Sequence, residues 1–132
     1  MDLEILKIAS DTKNHKILVD CTHKSKEKNP LCGDEMEVSI KVLENQILDF
    51  AYQCKSCIYC QASASVLSKF SINKKISSVN EIISFSDTVF QNKNAKIPKK
   101  WNKFETLFNQ KNLSRKDCIL LPFKALSKAL KS

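Results

Sequence analysis

The sequence predicts an α+β domain in which helices pack on one face of a small three-stranded antiparallel sheet. Two adjacent segments, residues 37–44 and 47–52, alternate apolar and polar residues with the period of two that is typical of strands. From about residue 61 onward, apolar residues recur at helical spacing. The 132 residues are enough to bury one core, so we expect a single domain that covers residues 1–132.

Two elements are predicted ahead of the alternating segments. Residues 2–10, "DLEILKIAS", place apolar side chains at the spacing of a short helix. Residues 15–21, "HKILVDC", are short and β-branched, which predicts the first strand. The polar stretch 22–30, "THKSKEKNP", ends in proline and predicts a loop.

The alternating segments predict a β-hairpin. In "EVSIKVLE" the residues Val38, Ile40 and Val42 would face the core, while Ser39 and Lys41 would face water. A turn is predicted at Glu44-Asn45. The second strand, "ILDFAY", alternates through Leu48, Phe50 and Tyr52.

The second half of the chain predicts helices. Residues 61–70 are rich in Ala and Ser, which favours a closely packed helix, and residues 77–90 place Val79, Ile82 and Ile83 on one side of another. Residues 91–103 are basic and contain proline, as in a connector, and residues 104–110 predict a short helix.

A terminal helix is predicted over residues 114–130. Its apolar stripe comprises Ile119, Phe123, Leu126 and Leu130. Ser114 is the predicted N-cap, with Asp117 completing an approximate capping box. Pro122 has no N–H to donate to the carbonyl of Cys118, so we expect the helix to start late or to kink there.

Composition limits the functional classes. The N-terminal residues do not resemble a signal peptide and no segment is long and apolar enough for a membrane helix, so we expect a cytoplasmic protein without membrane association. Six cysteines in such a protein indicate metal binding or thiol chemistry rather than disulfides. The net charge of +8 comes from scattered lysines that do not interleave with aromatic residues, which argues against nucleic-acid binding.

Three cysteine-containing segments carry candidate chemistry. In "NPLCGD" the chain has its only glycine, Gly33, where average usage would supply roughly nine in all. A sharp turn there would present Cys32 and Asp34 side by side as metal ligands, and the alternative is an ordinary turn with a buried cysteine. The second segment, "CKSCIYC", contains Cys57 just ahead of the small-residue helix.

The third segment, "SRKDCILL", places Cys118 in the first turns of the terminal helix. The positive helix end, together with Arg115 and Lys116, favours a thiolate at that position. The alternative interpretation is a buried helical cysteine.

Together, "NPLCGD", "CIYCQASAS" and "RKDCILLPFKAL" resemble the three cysteine motifs of the NifU N-terminal / IscU–SufU family of iron–sulfur cluster assembly proteins. The resemblance runs from about residue 17 to the C-terminus and implies a SufE/NifU-like fold. It implies a tetrahedral metal site formed by four residues: Cys32, Asp34, Cys57 and Cys118.

The resemblance also implies a role and partners. A PLP-dependent cysteine desulfurase would supply sulfur to Cys32 or Cys57 as acceptor, with Cys118 and Arg115 supporting the site. The sulfur or cluster would pass to a downstream iron–sulfur scaffold or apo-protein. The implied metal is zinc, with iron or a transient iron–sulfur cluster as the alternative. Such a protein is a scaffold or sulfur carrier, or a zinc-dependent sulfurtransferase.

Two features resemble the sulfur-transfer branch, which is SufU-like. Asp117 stands where the scaffold branch has a ligand histidine, and an extra segment separates Cys57 from Cys118. His15 and His23 lie far from this motif and are predicted to be surface residues.

The chain departs from the family pattern around Cys57. Cys54 and Ser56 replace the usual glycines, and Cys60 replaces a serine. Cys54 and Cys60 are interpreted as packing or loop residues, or alternatively as sulfur relays. Two other functions stay open: an iron–sulfur protein whose cluster uses Cys54, Cys57 and Cys60, and a zinc-stabilised interaction module without sulfur-transfer activity.

Overall fold

The computed structural model describes residues 3–29, 33–55, 57–92 and 95–131. Its elements in chain order are α1 (Leu3–Ala9), β1 (His23–Lys28), β2 (Glu35–Leu43), β3 (Gln46–Lys55), α2 (Ile58–Ser71), α3 (Ile76–Val89), two 3-10 helices (Lys99–Phe104 and Gln110–Arg115) and α4 (Lys116–Lys131). Within the described ranges, no helix is long and apolar enough to cross a lipid bilayer.

The sheet has three antiparallel strands in the order β1-β2-β3. Helix α4 packs against β1 and β2, helix α2 packs against β3, and the two helices contact each other. The predicted fold class, a three-stranded antiparallel sheet with helices, is therefore confirmed. Val38 and Ile40 of β2 and Phe50 of β3 face these helices and are fully buried.

The position of the first strand was predicted wrongly. It is formed by residues 23–28, which were expected to be a loop, whereas residues 15–21 contribute only an isolated bridge between His15 and Tyr52. Strand β1 lacks an apolar pattern because it lies at the sheet edge, where mainly Ser25 faces the interior and donates a hydrogen bond to the carbonyl of Ala125 in α4. Backbone hydrogen bonds to β2 stabilise this strand, whereas its side chains do not follow a pattern that predicts a strand.

Residues 16–20 instead lie across the outer face of the sheet. Two ion pairs hold them there, Lys16 with Asp49 at 3.7 Å and Lys41 with Asp20 at 2.9 Å. Ser39, which was predicted to face water, is buried beside this segment.

The predicted hairpin and its turn are confirmed, but Leu48 does not take the buried position that was predicted for it. Glu44 and Asn45 adopt φ values of 52° and 64°, as a two-residue turn of the I′ type requires. The pairing shifts by one residue beyond this turn, so that Leu48 is an extra residue and is 36% exposed. Ile47 takes the buried position that was predicted for Leu48.

The extra segment between α3 and α4 contributes to the core, contrary to its prediction as a connector. Trp101 in the first 3-10 helix is buried. The expected helix at residues 104–110 is replaced by the end of that 3-10 helix and by turns. Phe104 and Phe108 stack with their ring centroids 5.6 Å apart, and both contact Phe123 of α4.

Helix α4 carries the predicted apolar stripe, in which Ile119, Phe123 and Leu126 are buried. Its start was predicted wrongly, because Ser114 lies inside the 3-10 helix that runs directly into α4. The N-cap of this 3-10 helix is Asn109, whose side chain accepts a hydrogen bond from the N–H of Lys111 at 2.9 Å. Helix α4 begins at Lys116 and contains Pro122, so the late start that was expected from this proline does not occur.

Candidate metal centre

The turn at Gly33 brings Asp34 to the start of β2. Gly33 has a φ of +75°, the left-handed conformation that glycine adopts without strain. Two backbone hydrogen bonds close the ends of this segment, from Gly33 N–H to the Asn29 carbonyl at 2.9 Å and from Asn29 N–H to the Asp34 carbonyl at 2.8 Å. The positive φ predicted for the only glycine is confirmed, and the placement of Cys32 beside Asp34 stays a prediction.

The two thiols come from the beginnings of two helices. Cys57 has an extended backbone and is the residue before α2, whereas Cys118 lies in the first turn of α4. Cys57 is half-buried and Cys118 is buried. Cys57 therefore lies at the positive end of the α2 dipole, whereas Cys118 follows the 3-10 helix that runs directly into α4.

Three predicted ligands converge. A carboxylate oxygen of Asp34 and the Sγ atoms of Cys57 and Cys118 all lie within 4.8 Å of one another. Cys32, the fourth predicted ligand, lies outside the described residues.

The environment of Asp34 fits a cation. Its Oδ2 atom is buried and has no hydrogen-bond partner among the described residues. A buried carboxylate oxygen without a donor is costly, and a metal ion would satisfy it. Two sulfur donors and one carboxylate oxygen are a ligand set that suits Zn²⁺.

The pKa of Cys118 also fits a site that binds a cation. Burial first, and then the neighbouring Cys57 and Asp34, raise the pKa of the Cys118 thiol well above its ordinary value of 9.0. The expectation that the helix end and nearby cations would favour a free thiolate is therefore wrong for the metal-free protein. The thiol keeps its proton until a cation replaces it.

Arg115 is exposed at the surface and its guanidinium lies over an aromatic ring. The Cζ atom is 5.3 Å from the ring centroid of Tyr59, in the first turn of α2. One turn further on, Ser63 of α2 donates a hydrogen bond to the carbonyl of Ile119 at 2.6 Å. Tyr59 and Ser63 were not singled out from the sequence, although their spacing of four residues places them on one helix face.

The remaining cysteines do not join this group. Cys60 is fully buried in the hydrophobic core, and Cys54 is half-buried near the end of β3. Asp34, Cys57 and Cys118 form the only possible group for a single metal ion found among the described residues, so Cys54 and Cys60 do not share such a site with Cys57. The packing interpretation of Cys60 is supported.

The two histidines also lie apart from this group. His15 is exposed, as predicted. His23 is half-buried, with its Nδ1 atom 2.8 Å from the Oγ1 atom of Thr22.

The fold and this site define a small α+β protein in which two cysteines and a carboxylate form a candidate metal-binding group at the beginnings of two helices. Residues 4–131 match the model of the NifU-like N-terminal domain, and the chain belongs to this family.

Sequence relatives extend over nearly the whole chain. The chain is 30% identical over 129 residues to the iron–sulfur cluster assembly scaffold protein IscU of Thermotoga maritima, a match that covers 96% of this chain and 89% of the relative. It is 29% identical over 123 residues to an uncharacterized protein of Borreliella burgdorferi, covering 93% of this chain and 84% of that one.

Solved structures share the fold. A putative iron–sulfur cluster assembly scaffold protein for the SUF system from Fervidobacterium islandicum superimposes with a TM-score of 0.89 at 21% identity, covering 98% of this chain and 96% of that one. A NifU-like N-terminal protein from Brucella abortus gives a TM-score of 0.88 at 19% identity, and the match covers 98% of this chain and 91% of that one.

Proposed function

We propose that this protein functions in iron–sulfur cluster assembly, accepting sulfur from a PLP-dependent cysteine desulfurase at a metal site formed by Cys32, Asp34, Cys57 and Cys118. The observation that carries the proposal is the convergence of Asp34, Cys57 and Cys118 within 4.8 Å. Membership in the NifU-like family and the likeness to the Thermotoga scaffold protein support it. We infer a cytoplasmic location, where cysteines stay reduced.

Zinc is the proposed resident metal. When bound, it would keep the cysteine sulfurs deprotonated at neutral pH, including that of Cys118, whose pKa burial raises in the metal-free protein. Asp34 would supply the hard oxygen ligand, and the lack of a hydrogen-bond partner for its Oδ2 atom among the described residues supports this role.

Cys57 is the proposed sulfur acceptor among the described ligands, because it is more exposed than Cys118. Its thiolate attacks the terminal sulfur of the desulfurase persulfide. A new S–S bond forms on Cys57, the S–S bond of the donor breaks, and the desulfurase cysteine leaves as a thiolate. Cys32 is the second candidate acceptor. The acquired sulfur then passes to a downstream scaffold or apo-protein, or is assembled with iron into a cluster that is cargo of the site.

The SufU-like branch is favoured by the residue before Cys118. Asp117 is exposed at the surface and does not belong to the converging ligand group. A ligand at this position, as in the scaffold branch, therefore has no counterpart here, and Asp34 supplies the oxygen donor.

The test is sulfur uptake from a desulfurase and free cysteine. Intact-protein mass spectrometry should detect one added sulfur atom on the wild-type protein, and C57S and C118S should lose both this addition and zinc. The control is C21S, because Cys21 is a half-buried thiol outside the ligand group. Full uptake in C57S and C118S would refute the four-ligand site.

The same preparation tests the alternative functions. Stoichiometric zinc without any sulfur uptake would identify a zinc-stabilised interaction module. A brown protein whose iron and sulfide survive loss of Cys118 would identify a cluster protein of a different ligand set.

A further inference from the structure

The beginnings of α2 and α4 are joined by two contacts that lie one helical turn apart. The first is the stack of the Arg115 guanidinium over the Tyr59 ring, at 5.3 Å. The second is the hydrogen bond from Ser63 to the carbonyl of Ile119, at 2.6 Å. Tyr59 and Ser63 are four residues apart in α2, and Arg115 and Ile119 are four residues apart across the start of α4, so each pair shares one helix face.

The two contacts have different surroundings. Ser63 and Ile119 are fully buried, so their hydrogen bond is shielded from water. Tyr59 is half-buried and Arg115 is exposed. The contact between Arg115 and Tyr59 is therefore nearer the protein surface than the Ser63 hydrogen bond, and it lies at the beginnings of the two helices.

This outer contact adjoins both thiols of the metal centre. Tyr59 follows Cys57 by two residues, and Arg115 precedes Cys118 by three. No side-chain cap fixes the start of α2 at Cys57. The stack is thus a contact that restrains the first turn of α2 against the segment carrying Cys118, at a position one turn nearer the helix start than the Ser63 bond.

We propose that Tyr59 and Arg115 are positioning residues of the metal centre, which set the separation of Cys57 and Cys118 by stacking on each other. The inference rests on the metal site of the proposed function. It gives Arg115 a role through Tyr59 rather than through direct charge support of a thiolate. The partner of the arginine is the π-face of the ring, so phenylalanine should replace tyrosine and leucine should not.

The test is a double-mutant cycle on zinc affinity, measured by competition with a chromogenic chelator. Y59L and R115Q should each weaken zinc binding by about two- to fivefold, the range of a surface cation–π contact. The double variant should be no weaker than either single variant, because both changes remove the same interaction. Y59F should bind zinc as the wild type does.

A matched control is available at a remote site. Lys100 lies over the Trp101 ring with its Nζ atom 4.8 Å from the centroid. K100Q removes a cation–π contact outside the candidate metal-binding group, together with the ion pair of Lys100 with Glu81 at 2.9 Å, and should leave zinc affinity unchanged. Equal loss in K100Q and R115Q would mean a general stability effect and would overturn the inference.

A spectroscopic measurement separates positioning from stability. Co²⁺ bound in place of zinc should show shifted ligand-field bands in Y59L and unshifted bands in Y59F, since the bands report ligand geometry. Additive losses in the cycle, or unchanged bands in Y59L, would contradict the inference while leaving the proposed function intact. The proposed metal site itself fails if C57S or C118S retains full zinc affinity.

Discussion

The thiols of Cys57 and Cys118 lie within 4.8 Å of each other, at the beginnings of two helices that pack together. The buried hydrogen bond between Ser63 and the Ile119 carbonyl spans 56 positions of sequence and aligns the two helix starts. The carboxylate of Asp34 lies beside these two thiols. Two deprotonated thiols and a carboxylate in this arrangement would bind a cation together.

Removing the carboxylate of Asp34 should weaken metal binding without unfolding the protein. D34N keeps the shape of the side chain and removes the negative charge that lies among two thiols. We expect zinc affinity to fall by more than the roughly 10- to 100-fold that loss of an outer-shell partner costs. Chelator competition measures this loss.

The apo form of D34N provides the control for this prediction. It should unfold at a denaturant concentration no lower than the wild-type apo form, because the buried Oδ2 atom has no hydrogen-bond partner among the described residues. Wild-type zinc affinity in D34N would exclude Asp34 as a ligand.

The stability of the apo protein should fall as the pH rises above about 9. Burial raises the pKa of Cys118 above its ordinary value of 9.0, so the unfolded chain releases this proton at a lower pH than the folded protein does. The unfolded state then binds fewer protons, and the free energy of unfolding decreases with increasing pH. Denaturant titrations of the metal-free protein at a series of pH values measure this decrease. C118A should reduce the slope, and an unchanged slope would assign the effect to other groups.

Zinc binding should release protons near neutral pH. Because Cys118 is protonated in the apo form, its proton must leave when a cation binds. Calorimetric titrations in buffers of different ionisation enthalpy count the released protons. C118S should release fewer protons than the wild type, and equal release would show that Cys118 is not a ligand.

G33A should destabilise the protein through its backbone. A Cβ atom at this position would meet no atom within 4 Å, so there is no steric clash, but the φ of +75° is unfavourable for alanine. The expected loss is about 1–2 kcal/mol of unfolding free energy. G33N should lose less, because asparagine tolerates this conformation better. Equal losses in both variants would contradict a purely conformational origin.

The cysteines outside the ligand group should be dispensable for metal binding. C60A removes one buried atom from the core and should cost about 0.5–1.5 kcal/mol, as comparable Ile→Val changes do. C54A changes a half-buried side chain and should cost less. Both variants should retain zinc. Loss of metal in C54A and C60A would revive a cluster site within "CKSCIYC".

The sequence predicts elements well where side chains carry the signal. The β2–β3 hairpin alternates, α3 has a helical apolar face, and the Glu44-Asn45 turn requires residues that tolerate positive φ. Strand β1 was missed because its sequence, "HKSKEK", contains no apolar residue. Its hydrogen bonds to β2 and the cover of α4 create the strand, and neither is visible in a local window.

The errors at Leu48 and Trp101 have different origins. A one-residue bulge near the turn shifts the pairing of β3, which no alternating pattern reveals, so Ile47 is buried and Leu48 is not, whereas Phe50 and Tyr52 are buried as predicted. Trp101 lies in a basic stretch that resembles a linker, yet its ring packs 5.0 Å from that of Phe85. The burial of Trp101 therefore depends on a residue of another element, whereas that of Leu48 depends on a local irregularity of pairing within the hairpin.

For the site, the sequence by itself determined the ligand types and their motifs, since thiols, a carboxylate and one glycine are local features of the chain. Tertiary structure decided which of these side chains lie close together. Packing of α2 against α4 brings Cys57 to Cys118, and the same packing buries Cys60 in the core. It also raises the pKa of Cys118 and places Arg115 on Tyr59. These outcomes depend on distances between remote segments, which only the folded chain sets.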